Sequence, residues 1–134
     1  MKKTILALLA LGITATLFAI FVVIATDNAP DTALPPTVTA GYFKSDDRHR
    51  VMALQSDQAV TREDAMSIFA SLPWTEGKVT QAYIYSAPAT APGARLTQAA
   101  TRDAALDLVH APPFDNWTWA YIRFVDGTSI TNSN

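Results

Sequence analysis

Two stretches of this sequence carry residue types suited to chemistry or recognition. The first is Asp46-Asp47-Arg48-His49-Arg50, the densest run of charge in the chain. Asp46, Asp47 and His49 bring two carboxylates and an imidazole together, the raw material of a hard-metal site or an acid–base pair. The other histidine is His110, so no second imidazole stands at ligand spacing, and no carboxylate–histidine motif falls on a helix. The spacing therefore points to a solvated entrance to a domain, with a small exported enzyme or enzyme accessory as the alternative use of the same three residues.

The second stretch runs from Trp117 to Val125, WTWAYIRFV. At the period of a strand, Trp117, Trp119, Tyr121 and Arg123 share one face, and the run from Lys78 to Ser86 adds Tyr83 and Tyr85 in the same manner. Flat rings offer apolar area at small rotamer cost, with hydroxyls and ring edges as polar handles, so an exposed stripe of them is a recognition surface. The expectation is a binding face of Tyr83, Tyr85, Trp117, Trp119, Tyr121 and Arg123, with Ala82, Ile84, Ala120 and Ile122 turned toward two helices. The competing expectation is that the rings form the core and the helices cover them.

Other chemistries find little support. The chain has no cysteine, which removes disulfides, thiol nucleophiles, thiolate-bound metals and c-type haem attachment. No Gly-x-Ser-x-Gly, Ser-x-x-Lys, phosphate loop or dinucleotide fingerprint occurs, and no cofactor or metal is expected. His110 falls in the last turn of a helical segment, where a cation complements the dipole. After Thr26 there are eight basic and twelve acidic side chains, a net of −4, so there is no electrostatic footprint for nucleic acid.

These stretches need elements to position them. Thr4 to Thr26 is an uncharged apolar run behind Lys2 and Lys3, long enough to cross a bilayer core of about 30 Å. Residues 1–26 are expected to be a membrane anchor with the N-terminus cytoplasmic, or a signal peptide cleaved near Ala25; either exports the rest of the chain. The run exceeds the usual length of a signal core, which favours the anchor. Residues 27–41, with Pro30, Pro35 and Pro36 among Ala and Thr, read as a Pro-rich spacer. Residues 42–131 read as one exported domain.

Within that domain, Arg50 to Gln55 reads as a buried strand. Thr61 to Leu72 reads as a helix with a threonine N-cap, acids in the first turn, and Ala65, Met66, Phe69 and Leu72 on one face. Thr101 to His110 repeats the design, Pro113-Phe114 answering Pro73-Trp74, which suggests an internal repeat. Strands are expected at Lys78 to Ser86 and Trp117 to Val125, Ala94 to Gln98 offers a further short strand, and Asp126-Gly127 turns the chain into a last one over Thr128 to Thr131. The order predicts an α+β two-layer sandwich of duplicated βα-ββ-αβ, ferredoxin-like pattern, with two helices on one face of a mainly antiparallel sheet.

The plan of short cytoplasmic end, membrane segment, Pro-rich spacer and small α+β domain is similar in outline to envelope proteins carrying a SPOR-type peptidoglycan-binding module. Arg50 to Leu72, RVMALQSDQAVTREDAMSIFASL, looks like the first strand and Ala-rich helix of such a module, although Ser56-Asp57 and Ala99-Ala100 stand where that family usually has Gly and Phe. The resemblance assigns no site residue. The functional expectation is a non-enzymatic, membrane-anchored extracytoplasmic binding or scaffold domain that engages an envelope glycan or partner protein. A structural subunit of a membrane complex is the third reading.

Overall fold

The computed structural model describes residues 33–134. The run from Thr4 to Thr26, its cleavage point and the start of the spacer lie outside the described residues; among those described, no helix is long and apolar enough to cross a membrane. The elements are β1 (Thr37–Lys44), β2 (Arg50–Ser56), α1 (Arg62–Ala70), β3 (Thr80–Ser86), α2 (Ala94–Thr97), α3 (Arg102–Val109), β4 (Trp119–Arg123) and β5 (Ser129–Ser133). The chain thus forms a small α+β domain with a five-stranded mixed sheet, in the order β1-β2-β3-β4-β5, and three helices.

Only β2 and β3 run parallel, Arg50 opposite Thr80 and Ser56 opposite Ser86; the other three pairings are antiparallel. A parallel neighbour needs a crossover, and α1 supplies it. Thr61 caps α1 reciprocally. Its hydroxyl accepts from the Asp64 N–H at 3.2 Å while the Asp64 carboxylate accepts from the Thr61 N–H at 3.3 Å. Thr101 caps α3 through the Ala104 N–H at 3.1 Å, without the reciprocal bond.

The ferredoxin-like duplication is not what forms. Ala94 to Thr97 is a helical turn instead of a strand, because Pro92-Gly93 launches it and Leu96 and Thr97 both bond back to the Gly93 carbonyl. α3 therefore comes after α2 with no strand before it, and the likeness between the two helical segments ends at their caps. Nor do the helices share one face. α1 packs Ala65, Ile68 and Phe69 against Met52, Leu54, Ala82, Ile84 and Tyr121. On the other face, α2 and α3 pack Leu96, Ala105 and Val109 against Phe43, Val51, Ala53, Tyr83 and Tyr85. The central strands β2 and β3 are buried on both sides, as a parallel pair requires. β1 begins at Thr37, inside the stretch read as spacer.

Two hairpins of one design close the ends of the sheet. In the first, the Ser45 N–H donates to the His49 carbonyl and the Arg48 N–H to the Ser45 carbonyl, both at 2.9 Å; in the second, Phe124 N–H reaches Thr128 O at 2.8 Å and Gly127 N–H reaches Phe124 O at 3.0 Å. Each places one residue in the left-handed region. It is Gly127 at φ 87° in one hairpin and Arg48 at φ 70° in the other. A side chain there is disfavoured by about 1–2 kcal/mol, part of which glycine's larger unfolded-state entropy offsets. Arg48→Gly should therefore raise stability by up to about 1 kcal/mol in a urea titration, and a loss of stability would show that the Arg48 side chain holds the turn.

Candidate functional site

The six residues of the expected aromatic face do not form one face. In an antiparallel pair, directly opposite residues point to the same side. Ala82 lies opposite Tyr121 and Ile84 opposite Trp119, so the small residues of β3 share a side with the large residues of β4. Small therefore meets large, not small. Tyr83 and Tyr85 face the opposite way, toward α2 and α3, and Trp117 joins them because it precedes β4, outside the regular alternation.

Burial then separates core from surface. Tyr85 is fully buried, with its hydroxyl donating to the Phe114 carbonyl at 2.6 Å. Tyr83 is buried, 3.1 Å from His110 Nε2 through its hydroxyl and in ring contact with Trp117; that burial pushes its phenol up to about 12. Tyr121 stacks on Phe69 with ring centroids 4.8 Å apart. Trp119 is half-buried and donates its indole N–H to the Val60 carbonyl at 2.8 Å. These rings are packing residues first.

What remains accessible is the end of the sheet beyond the helices. β5 is exposed except at Thr131. Between α1 and β5 lies a groove of about 290 Å³, lined by Met66, Ala70, Tyr121, Arg123, Gly127, Ser129 and Thr131. It brings together two residues of the expected site, Tyr121 and Arg123. Arg123 is the one charged group in that lining. Its guanidinium lies over the Trp74 ring at 4.2 Å from the centroid, and its Nε is buried without a partner. Trp74 is itself pinned, its indole N–H shared between the Lys78 and Phe124 carbonyls at 2.9 and 3.1 Å. Gly127, favoured by its φ of 87° in the turn, borders the Trp74 ring, which an added Cβ would meet at van der Waals distance.

Among the described residues no carboxylate lies within ion-pair distance of Arg123; the one ion pair found there joins His49 and Asp47 at 3.4 Å. A guanidinium fixed by an aromatic plane, the one charge in the lining and with no acidic neighbour, is suited to a carboxylate or phosphate. The Ser129 and Thr131 hydroxyls, the Met66 thioether and the edge of Tyr121 offer the mixed polar and apolar contacts that an attached sugar or peptide would use. Sequence reasoning found Arg123 by its place in the stripe. It missed Trp74, read only as the residue after a helix stop, along with Met66, Ser129 and Thr131.

The Asp46/Asp47/His49 stretch forms the first hairpin turn. Ser45 donates its hydroxyl to Asp47, and this bond, with His49 and Lys78 behind it, holds the Asp47 carboxyl below its usual range. Asp47 thus stands between serine and histidine, whereas activation of a hydroxyl nucleophile requires the imidazole in that position. The other ring nitrogen, His49 Nδ1, accepts from the Val79 N–H at 3.0 Å, tying the turn to the start of β3. Asp126 makes the equivalent turn contact in the second hairpin, where the Thr128 hydroxyl and N–H lower its carboxyl. Among the described residues no group of three or more His, Asp or Glu side chains converges as metal ligands do.

A wider, open groove of about 720 Å³ runs between this hairpin and the start of α3. Lys44 and Arg102 line it together with Asp46 and Asp47, so its charges offset one another; Arg102 donates to the Gln81 side chain at 2.9 Å while its Nε, like that of Arg123, is buried without a partner. The groove at Arg123 carries the stronger uncompensated field. No protein family, curated protein or solved structure matches this chain.

Proposed function

We propose that this protein is a non-enzymatic extracytoplasmic binding domain, held at the membrane by residues 4–26, whose groove between α1 and β5 receives an anionic group of a cell-envelope glycan. The observation that carries the ligand class is Arg123: seated on Trp74 as the one charge in the lining of the groove, with no acid beside it, among the Ser129 and Thr131 hydroxyls and exposed Met66. The apolar run with its lysines before it supports the location, and the acidic remainder of the domain argues against nucleic acid.

The test uses soluble muropeptides, carboxylate-bearing fragments of a cell-wall glycan, titrated into the full chain in detergent. Replacing Arg123 by Gln removes a charge-assisted contact worth about 1.5–3 kcal/mol, and should weaken binding by roughly 10- to 100-fold. The stability change should stay near the roughly 0.5–1 kcal/mol of a partly exposed cation–ring contact. Arg123→Lys keeps the charge but loses the planar stacking and the fork, and should recover only part of the affinity. Unchanged affinity in the Gln variant would remove Arg123 from the site.

A further inference from the structure

We infer that β5 pairs with the β5 strand of a second copy of this chain, antiparallel and centred on Thr131, so that two five-stranded sheets join into one. The two edges of the sheet are treated very differently. β1 carries the devices that keep an edge from pairing: Pro36 before it, a register shift between Thr39 and Gly41, Lys44 at its end, and Pro92 to Leu96 packed against Gly41. Its Tyr42 N–H is taken by the Thr97 hydroxyl at 3.1 Å. β5 has none of these. Ser129-Ile130-Thr131-Asn132-Ser133 has no proline and no charge, and its pairing with β4 runs in unbroken register.

The hairpin fixes which backbone groups of β5 are free. The bond from Phe124 N–H to Thr128 O and the one from Asn134 N–H to Thr118 O mark the positions where β4 and β5 exchange hydrogen bonds, so Ile130 and Asn132 point their main-chain groups inward. Ser129, Thr131 and Ser133 then point theirs outward. A two-fold axis through Thr131 sets Ser129 opposite the copy's Ser133 and Thr131 opposite itself, and each of these pairs is of the hydrogen-bonded kind.

The side chains agree with that register. Hydroxyls meet hydroxyls on the groove side, and no like charges are opposed. On the other side Ile130, 49 % exposed in one copy, is diagonal to Ile130 of the other, within reach across the axis and backed by Ile122, its neighbour on β4. A foreign peptide strand would use the same main-chain groups; the self-complementary side chains are what favour a second copy. Because Ser129 and Thr131 also line the groove at Arg123, the copy's β5 would extend its wall. The pairing does not depend on the glycan reading.

The chain contains no cysteine, so a single introduced one bonds only to another molecule. At a hydrogen-bonded antiparallel pair the Cα atoms lie about 5.5 Å apart, within disulfide reach. The purified full chain in detergent is oxidised mildly in three forms. Thr131→Cys should give at least about tenfold more disulfide dimer than Val38→Cys, an exposed position on β1 that controls for contact through the membrane run. A mixture of Ser129→Cys and Ser133→Cys chains should give the mixed dimer in preference to either self-dimer. Should Thr131→Cys fold poorly, that mixture alone decides. Cross-linking of Thr131→Cys at the Val38→Cys level in a chain with unchanged circular dichroism, or self-pairing of Ser129→Cys, would overturn the proposal, the first outcome leaving the edge to another partner.

Discussion

Replacing Trp119 by alanine is expected to destabilise the domain by about 3–5 kcal/mol, and not merely to clear a binding face. Trp119 lies opposite Ile84 at the last rung of the β3–β4 ladder and packs into the cluster of Met52, Leu54, Phe69 and Tyr121 under α1. Truncation removes the ring from that cluster and leaves a void the strands cannot close, because β3 is fixed by neighbours on both sides. It also leaves the Val60 carbonyl without its donor, at the point where the chain enters α1. Trp119→Phe separates the two contributions: it keeps most of the ring and loses the N–H, and should cost about 1–2 kcal/mol. Chemical denaturation of both variants measures this. A folded Trp119→Ala domain of near wild-type stability would mean that the ring is a surface group that contributes little to the core under α1.

Gly41→Ala is the second large effect, expected to cost about 3 kcal/mol or more despite adding one methyl group. An added Cβ would stand 2.4 Å from the Pro92 carbonyl oxygen, 2.9 Å from that of Gly93 and 2.9 Å from Leu96 Cβ. Two of these are backbone atoms in a turn that Leu96, fully buried, anchors to the core, so neither side can yield cheaply. Overpacking of a well-fitted site costs about 1–3 kcal/mol even where side chains can adjust, and here the obstruction is main chain. The expected outcome is separation of α2 from β1 and weaker protection of the Tyr42 amide in hydrogen exchange, because its acceptor, Thr97, lies on α2. A full-stability Gly41→Ala chain would contradict the tight β1–α2 contact.

Two of the three helices, α1 and α3, were legible in the sequence because their ends carry local chemistry: Thr61 and Thr101 cap through hydrogen bonds that a short stretch of chain encodes, whereas α2, a single turn without a side-chain cap, read as a strand. Asp126-Gly127 made the second hairpin legible for the same reason. The first was harder, since Arg48 occupies the position that glycine marks in its twin. β1 was hidden by composition, because Pro35, Pro36 and the small residues from Thr37 to Gly41 read as spacer, while its strand character comes from pairing with β2. The largest error lay in the facing of β3 and β4. Alternation along one strand is local, but which face of one strand joins which face of the next depends on register, and register is set by distant packing. Trp117 slipped out of the stripe because the ladder stops at Trp119. Arg50 illustrates the same limit. It closes the charged run and opens the strand expected to be buried, and only the sheet decides between the two: Arg50 is buried, its guanidinium donating to the Tyr42 hydroxyl at 3.0 Å and the Thr75 hydroxyl at 2.9 Å.

The candidate site was half legible. Arg123 and Tyr121 could be named from strand spacing; Trp74, Met66, Ser129 and Thr131 come from three other elements and meet them only once the sheet order is known. The groove depends on α1 ending at Ala70 and on the Lys78 and Phe124 carbonyls holding Trp74 beneath Arg123. Neither condition leaves a motif.

The most direct test of the proposed binding role is amide and methyl NMR shift mapping of the full chain in detergent during a muropeptide titration. Saturable shifts should cluster at Met66, Tyr121, Arg123, Ser129 and Thr131, and weaken by at least about tenfold in concentration dependence when Arg123 is replaced by Gln. Shifts confined to the wider groove at Lys44, Asp46 and Arg102, or none at all, would contradict it.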